Sequence, residues 1–184
     1  IICGDALTEL RKLPEASVHC CVTSPPYWGL RDYGHPNQIG LEKTPQDYVE
    51  ALRERFSEVH RVLRDDGTLW LNLGDSYCGG GNYRGTDEST LTEKQRSNGG
   101  ARGQLAIGRT SQPPSLRVTG LPSKNLIGIP WRVAFALQED GWYLRSDIIW
   151  HKPNPMPESV TDRPTKSHEY LFLLSKSANY FYDD

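Results

Sequence analysis

The fold of this chain is organised around the stretch Val18-His19-Cys20-Cys21-Val22-Thr23-Ser24-Pro25-Pro26-Tyr27-Trp28. It opens as a short apolar run, which is long enough for a buried strand and too short for a helix. Pro25 and Pro26 then end the strand, because proline has no backbone N–H and a fixed φ. Ser24 precedes a proline, which favours an extended backbone at that residue. The stretch therefore predicts a stiff strand end that presents carbonyl oxygens next to an aromatic pair.

A strand end of this kind suits the activation of an exocyclic amino group on a planar base. Such a nitrogen is a poor nucleophile, because its lone pair is delocalised into the ring. Acceptors that hold its N–H bonds favour a tetrahedral nitrogen with a localised lone pair. The Ser24 hydroxyl and the Pro25 carbonyl are the candidate acceptors, and the Tyr27 ring is the candidate stacking partner, all positioned before the reaction. The alternative is a Pro-Pro turn that closes an ordinary strand.

The segment Thr23-Ser24-Pro25-Pro26-Tyr27-Trp28 resembles the catalytic motif of amino-methylating, site-specific DNA methyltransferases that use S-adenosylmethionine. The family pattern is Asp, Asn or Ser, then Pro-Pro, then an aromatic residue. Serine is usual in the cytosine-N4 enzymes, and Asp or Asn is usual in the adenine-N6 enzymes. The other matching segments are Gly4–Leu7, Gly29–Tyr33, Ile149–Asn154 and His168–Tyr170. The resemblance covers nearly the whole chain and is specific as a set.

The resemblance implies an α/β fold, with a Rossmann-like S-adenosylmethionine-dependent methyltransferase sheet and flanking helices. It implies methyl transfer to the N4 amino group of cytosine in double-stranded DNA, with the target base flipped out of the stack. Adenine-N6 methylation is the nearest alternative, and only the serine of the motif argues against it. A catalytically inactive DNA-binding or assembly fragment that needs a partner segment is the alternative of another class.

The resemblance also assigns residues to a catalytic group and a DNA group. The catalytic group is Ser24, Pro25, Pro26 and Tyr27. The residues expected to contact the substrate base or DNA are Trp28, Arg31, Asp32, Tyr33, Lys152 and Asn154. A loop that leaves a catalytic strand end is well placed to touch substrate. The alternatives are a solvated connection after Trp28 and a structural turn around Lys152.

The cofactor group is Asp5 and Thr23. Asp5 follows Ile1–Gly4, which is predicted to be the end of a strand. Ligands bind at the carboxyl ends of strands in α/β sheets, and in the family an acidic residue here contacts the adenosine part of the cofactor. Asp5 also precedes a short amphipathic pattern, which predicts a helix N-cap, and both roles are compatible.

Composition sets broad limits on the function. A chain of 184 residues is large enough for one domain with a real core, and a net charge of −2 gives no overall nucleic-acid signal. No apolar run approaches the length of a membrane span and no signal peptide is evident, so a cytoplasmic protein without a membrane partner is expected. The four cysteines form no C-x-x-C pair, which predicts reduced, mostly buried thiols and no metal site.

Hydrophobic periodicity predicts the remaining elements. A helix is expected after Thr44-Pro45 and ends at Asp65–Gly67, a second helix follows Ile127, and Tyr180–Tyr182 pairs as a hairpin beside the last strand. The predicted strands are Thr68–Leu73, Trp142–Trp150 and Tyr170–Leu174.

Residues 79–125 differ from the rest of the chain, because glycine and small polar residues dominate and no apolar period survives. Seven basic residues stand against three acidic ones there, a local net charge of +4. This composition predicts a flexible basic insertion that clamps the DNA backbone. The resemblance implies that 1–184 is the catalytic half of a DNA methyltransferase domain that carries this insertion. A disordered insertion without a role is the alternative.

The family binds S-adenosylmethionine through a Gly-rich loop, usually Phe-x-Gly-x-Gly, which does not occur in this sequence. In the permuted order that begins with the catalytic motif, this loop follows the last strand that the sequence predicts here. We therefore expect a chain truncated before the cofactor loop, whose fold a further C-terminal segment or a second chain completes.

Overall fold

The computed structural model describes residues 1–78, 120–122 and 124–183. Its described helices are α1 (Ala6–Leu10), α2 (Pro45–Val62) and α3 (Ile129–Glu139), and its described strands are β1 (Val18–Thr23), β2 (Leu63–Leu73), β3 (Tyr143–His151) and β4 (His168–Ser175).

The four strands form one mixed sheet in the order β1-β2-β4-β3. β1 and β2 are parallel and are joined through α2, whereas β4 is antiparallel to both β2 and β3. Asn72 in β2 lies opposite Leu171 in β4, and Trp150 in β3 lies opposite Glu169. The antiparallel pairing therefore brings the first residues of β4 to the edge where β1, β2 and β3 end.

The helices α2 and α3 cover one face of this sheet. Leu69, Leu71 and Leu73 alternate along β2 and are fully buried in the same cluster as side chains of both helices. α2 begins at a favourable site, since the Thr44 hydroxyl accepts the Asp47 N–H and proline occupies the first turn. It ends at Val62 rather than at the expected Asp65–Gly67, and β2 begins directly at Leu63.

The opposite face of the sheet is open in the described part of the chain. Cys21 lies beside Leu69 on the helix side, so Cys20 and Val22 point the other way, where both are exposed. Cys3 is also exposed and Cys78 is buried, so the expectation of mostly buried thiols is wrong. The reason is the alternation of side chains along β1, whose outer face no described helix covers. On the inner side, burial first and Cys20 second raise the pKa of the Cys21 thiol to about 11.

Two expected pairings do not form. Tyr180–Tyr182 make no hairpin, because β2 and β3 already occupy both edges of β4. The Phe181 N–H instead donates to the Asp66 carbonyl at 3.0 Å. Residues 1–3 pair with no described strand, and Ile1 and Ile2 are exposed, so the expected strand end before Asp5 is also wrong.

The expected basic insertion falls mainly on residues 79–119 and 123, which lie outside the described residues. Its two flanks are hydrogen-bonded to each other: the Cys78 N–H donates to the Asn125 carbonyl at 2.7 Å, and the Lys124 N–H donates to the Cys78 carbonyl at 2.6 Å. The Ser76 hydroxyl donates to the Trp28 carbonyl at 3.2 Å. The segment therefore leaves and rejoins the fold next to the Pro-Pro motif.

The described ranges contain no membrane-spanning helix and no metal cluster. No helix there is both long and apolar enough to cross a bilayer. No group of three or more His, Cys, Asp or Glu side chains in the same ranges is arranged to hold a metal ion.

Asp75 caps α3 from a distant part of the chain, and its replacement is expected to destabilise the fold. Its Oδ1 accepts the N–H groups of Gly128 and Ile129, each at 3.0 Å. Asp75→Ala leaves those donors without their acceptor and is expected to lower the free energy of unfolding by about 1–2 kcal/mol in urea titration. Asp75→Asn keeps an acceptor and is expected to lose less. Equal losses for both variants contradict the capping role.

Candidate active site

The sheet brings four segments that are distant in sequence to one edge. Ser24 directly follows β1, Asn72 lies near the end of β2, Glu169 lies near the start of β4, and Lys152 follows β3. Tyr27 extends from the Pro-Pro turn into the space between them. We call these five side chains the Tyr27 network.

The Tyr27 hydroxyl lies at the centre of this network. It is 2.8 Å from Asn72 Oδ1 and 3.0 Å from Glu169 Oε2. The Ser24 hydroxyl donates within 3.4 Å of both Tyr27 Oη and Asn72 Oδ1. Lys152 Nζ pairs with the other Glu169 oxygen, Oε1. One carboxylate therefore accepts from an ammonium group on one side and faces the tyrosine hydroxyl on the other.

Burial and charge set the ionisation of this network. Burial alone raises the pKa of Glu169, but the hydrogen bonds from Lys152 and Tyr27 outweigh it, and the pKa lies below its ordinary value. Burial also raises the pKa of Tyr27, and the negative charge of Glu169 adds to this effect. At neutral pH Glu169 is thus a carboxylate and Tyr27 a protonated phenol.

The low pKa of Glu169 predicts an acid-sensitive contribution to stability. A carboxyl whose pKa is depressed by folding stabilises the fold above its ordinary pKa, and that contribution disappears as the pH falls through the folded value. In Glu169→Gln this protonation is absent, so the free energy of unfolding is expected to fall less steeply from about pH 6 to about pH 3. Identical slopes in denaturant titrations of the two proteins contradict this assignment.

The motif itself is held from below. The buried Tyr48 hydroxyl donates to the Pro26 carbonyl at 2.9 Å, whereas no hydrogen bond of the described residues ends on the Pro25 carbonyl. Ser24 is exposed and Pro25 is half-buried. The Ser24 hydroxyl and the Pro25 carbonyl thus lie together at the surface of the strand end.

Gly74 makes room for the Tyr27 ring. A Cβ atom added at Gly74 would lie 2.5 Å from Tyr27 Cδ2 and Cε2, which is far inside van der Waals contact. Glycine at the end of β2 is therefore a requirement of the observed tyrosine position.

The structure corrects the expectation for Trp28. Its side chain is 1% exposed and belongs to the main core cluster, and its indole N–H donates to the Glu42 carbonyl at 3.0 Å. A buried side chain has no surface available for DNA. The structure therefore contradicts the expected contact between Trp28 and DNA, and Trp28 packs in the core.

Of the other expected DNA residues, only Lys152 is one of the five side chains of the Tyr27 network. Arg31, Asp32 and Tyr33 belong to a loop that Gln38 braces, accepting the Tyr33 N–H at 2.6 Å and donating to the Arg31 carbonyl at 2.9 Å. Asp32 accepts the Gly34 N–H at 2.7 Å. Asn154 is exposed in the loop after β3.

For Asp5 the capping role is confirmed. Its Oδ1 accepts from the Thr8 N–H at 3.0 Å and from the Thr8 hydroxyl at 2.9 Å, and the backbone hydrogen bond is the main reason that the pKa of Asp5 is lowered. Thr23 is the half-buried last residue of β1. A cofactor contact by either residue stays a prediction.

Sequence reasoning did not include Asn72 or Glu169 among the site residues. Both carry a sequence signal: Asn72 is a lone amide between leucines in an apolar strand, and Glu169 is a charge at the start of another. A polar residue in a strand that is otherwise apolar needs a partner, and here the partner is Tyr27.

The sheet and its Pro-Pro strand end define an α/β methyltransferase fold, and solved structures agree. PvuII DNA methyltransferase (cytosine-N4-specific) matches with a TM-score of 0.61 and 18% identity, over 96% of this chain and 49% of that chain. TTHA0409 of Thermus thermophilus, in complex with S-adenosyl-L-methionine, matches with a TM-score of 0.57 and 23% identity, over 98% of this chain and 54% of that chain. At these identities the similarity establishes the fold alone.

The chain belongs to the N6/N4 DNA methylase family, whose model matches residues 18–184. Type II methyltransferase M.Cfr9I of Citrobacter freundii is 56% identical over 181 residues, which are 98% of this chain and 55% of the relative. Type II methyltransferase M.SmaI of Serratia marcescens is 54% identical over 183 residues, or 100% of this chain and 58% of the relative. The chain therefore spans little more than half the length of these relatives.

Proposed function

We propose that the protein carrying this chain is a Type II, site-specific DNA methyltransferase that methylates the N4 amino group of cytosine in double-stranded DNA. The observation that carries this proposal is the Ser24 hydroxyl at a proline-stiffened strand end, with the Tyr27 hydroxyl and Asn72 behind it. Membership of the N6/N4 family supports amino-group methylation. The serine in the motif and the fold shared with a cytosine-N4-specific enzyme favour cytosine over adenine.

In the proposed mechanism Ser24 and Pro25 hold the target amino group. The Ser24 oxygen and the Pro25 carbonyl accept its two N–H bonds, so that the nitrogen lone pair becomes localised and available. Tyr27 stacks on the flipped base while its hydroxyl remains anchored below. The rigid strand end positions these acceptors before reaction, which is where such arrangements contribute most.

S-adenosylmethionine is the proposed cofactor, and it supplies an electrophilic methyl group on a sulfonium. TTHA0409, which shares the fold, was solved with this cofactor. Asp5 fits one part of it: only Oδ1 of this exposed carboxylate is engaged by Thr8, so Oδ2 is available to accept a ribose hydroxyl. The described residues supply this part of a cofactor site only, because the Gly-rich loop is absent from the sequence.

The proposed partners are double-stranded DNA and a segment that completes the sheet. The relatives are nearly twice as long as the chain, and Cys20 and Val22 expose an apolar face of the sheet. A completing segment that covers this face and carries the cofactor loop accounts for both observations. A DNA substrate requires the protein to be where the cell keeps its DNA. The expected cytoplasmic location stays a prediction.

Thiol labelling tests this completion. In the chain alone, iodoacetamide is expected to modify Cys3 and Cys20 and to spare the buried Cys78. In the full-length protein, Cys20 modification is expected to slow at least about tenfold, because a covered sheet face opens only by local unfolding. Mass spectrometry of each peptide gives the rates, with Cys78 as the internal reference. Equal Cys20 rates in both proteins contradict coverage of this face.

Nucleoside analysis tests the reaction. DNA incubated with S-adenosylmethionine and the full-length protein is expected to contain N4-methylcytosine. N6-methyladenine in its place overturns the choice of base and leaves the amino-methylating class intact.

A second candidate is a catalytically inactive DNA-binding or assembly module, the alternative of another class. Isothermal titration of the chain and of the full-length protein with S-adenosylmethionine separates the two. Binding to the full-length protein with methylated product supports the enzyme. Absence of both supports the inactive module.

A further inference from the structure

We propose that Glu169, clamped by Lys152, is a positioning residue that turns the Tyr27 and Ser24 hydroxyl protons inward, so that the Ser24 oxygen faces the substrate as an acceptor. The inference rests on the proposed function, because it assigns a direction to the hydrogen bonds behind the proposed amino-group site. The Pro-Pro motif predicts neither the positioning role of Glu169 nor the direction of these hydrogen bonds.

Two charged groups of the network each have only one hydrogen-bonding role. An ionised carboxylate only accepts hydrogen bonds, and an ammonium group only donates them. Lys152 donates to Oε1 of Glu169, which leaves Oε2 facing the Tyr27 hydroxyl at 3.0 Å. Since Lys152 holds Glu169 in place as a carboxylate, the innermost member of the network is a hydrogen-bond acceptor.

Asn72 also presents a hydrogen-bond acceptor to the two hydroxyl groups. Its Nδ2 donates to the Tyr170 carbonyl at 3.1 Å, so its Oδ1 is directed toward the two hydroxyl groups. The single Tyr27 proton therefore has two inward acceptors, Asn72 Oδ1 and Glu169 Oε2. Its oxygen lone pairs are left to accept from above.

Ser24 completes the chain. Its hydroxyl proton has two inward acceptors, Tyr27 Oη and Asn72 Oδ1, both at 3.4 Å. With the proton turned inward, the lone pairs of the exposed Ser24 oxygen point outward, where an amino N–H needs an acceptor. A reversed chain, with Tyr27 donating to Ser24, turns the serine proton toward the substrate and opposes that contact.

The pKa of Tyr27, measured in the 184-residue polypeptide, reports the direction of these hydrogen bonds. NMR titration of Cζ-labelled tyrosine, with Tyr27→Phe to assign the resonance, gives its pKa. In Ser24→Ala that pKa is expected to rise, because a hydrogen bond donated by Ser24 stabilises the phenolate. In a reversed chain Ser24 stabilises the phenol, and the same replacement lowers the pKa. A fall in Ser24→Ala therefore overturns the proposal.

Glu169→Gln is the second variant. Loss of the negative charge is expected to lower the pKa of Tyr27. Glu50→Gln is the matched control, since it also neutralises an ion-paired carboxylate but at an exposed site on α2, and it is expected to leave Tyr27 unchanged. An unchanged Tyr27 pKa in Glu169→Gln overturns the proposal.

Steady-state kinetics of the full-length protein provide the third test of the proposal. In Glu169→Gln, kcat is expected to fall about 10- to 100-fold with little change in KM for DNA, because the acceptor is misdirected while binding surfaces are kept. An unchanged kcat overturns the positioning role. The wild-type protein could fail to methylate DNA while the pKa of Tyr27 shifts as expected in both variants. That outcome refutes the proposed function and leaves the direction of the hydrogen bonds standing.

Discussion

Trp28→Ala is expected to destabilise the chain by about 3–5 kcal/mol, the usual loss for a large aromatic side chain removed from a core. The side chain is 1% exposed in the main core cluster, directly after the Pro-Pro motif. Its removal leaves a cavity beneath the strand end and frees the Glu42 carbonyl from its indole donor. Urea denaturation followed by circular dichroism measures the loss.

Two further variants separate packing from DNA contact. Trp28→Phe keeps most of the packing and loses the hydrogen bond, so a loss of about 1–2 kcal/mol is expected. Tyr33→Ala removes a side chain that is 61% exposed and is expected to change stability by less than about 0.5 kcal/mol. A stable Trp28→Ala protein whose only defect is weak DNA binding reinstates the direct contact that the burial excludes.

Gly74→Ala is expected to reduce methylation by the full-length protein at least about 100-fold, through displacement of Tyr27. The added methyl carbon would lie 2.5 Å from two atoms of the tyrosine ring. The ring is anchored by its hydroxyl to Asn72 and Glu169, so it moves only by giving up those contacts. Initial rates with saturating DNA and cofactor measure the effect on kcat.

Gly34→Ala is the control for this experiment. Its Cβ meets nothing within 4 Å, and its φ of +75° limits the effect to backbone strain of about 1–2 kcal/mol. Methylation is expected to persist in that variant. If Gly74→Ala retains wild-type kcat, Tyr27 does not need the observed position for catalysis.

Local sequence signals predicted much of the scaffold. The apolar run ended by two prolines became β1, and the Thr44-Pro45 start with helical spacing became α2. The strand expected over Trp142–Trp150 became β3. These signals succeed because caps, proline restrictions and side-chain periodicity act over a few residues.

Errors arose where pairing decided the outcome. An aromatic run at Tyr180–Tyr182 is typical of a strand, but β4 has no free edge to offer it. Cysteines in an apolar strand are normally buried, yet Cys20 points to the face that no described helix covers. Neither the occupancy of a sheet edge nor the coverage of a sheet face is written in the local sequence.

The sequence by itself determined the residue types at the strand end, a serine before two prolines and an aromatic residue, and the family to which that motif belongs. Only the tertiary structure decided what lies behind the serine. The antiparallel register of β4 places Glu169 and Asn72 around a tyrosine from the first strand end, and the packing of the core buries Trp28. These contacts join residues up to 142 positions apart, and strand order, which no local pattern encodes, brings them together.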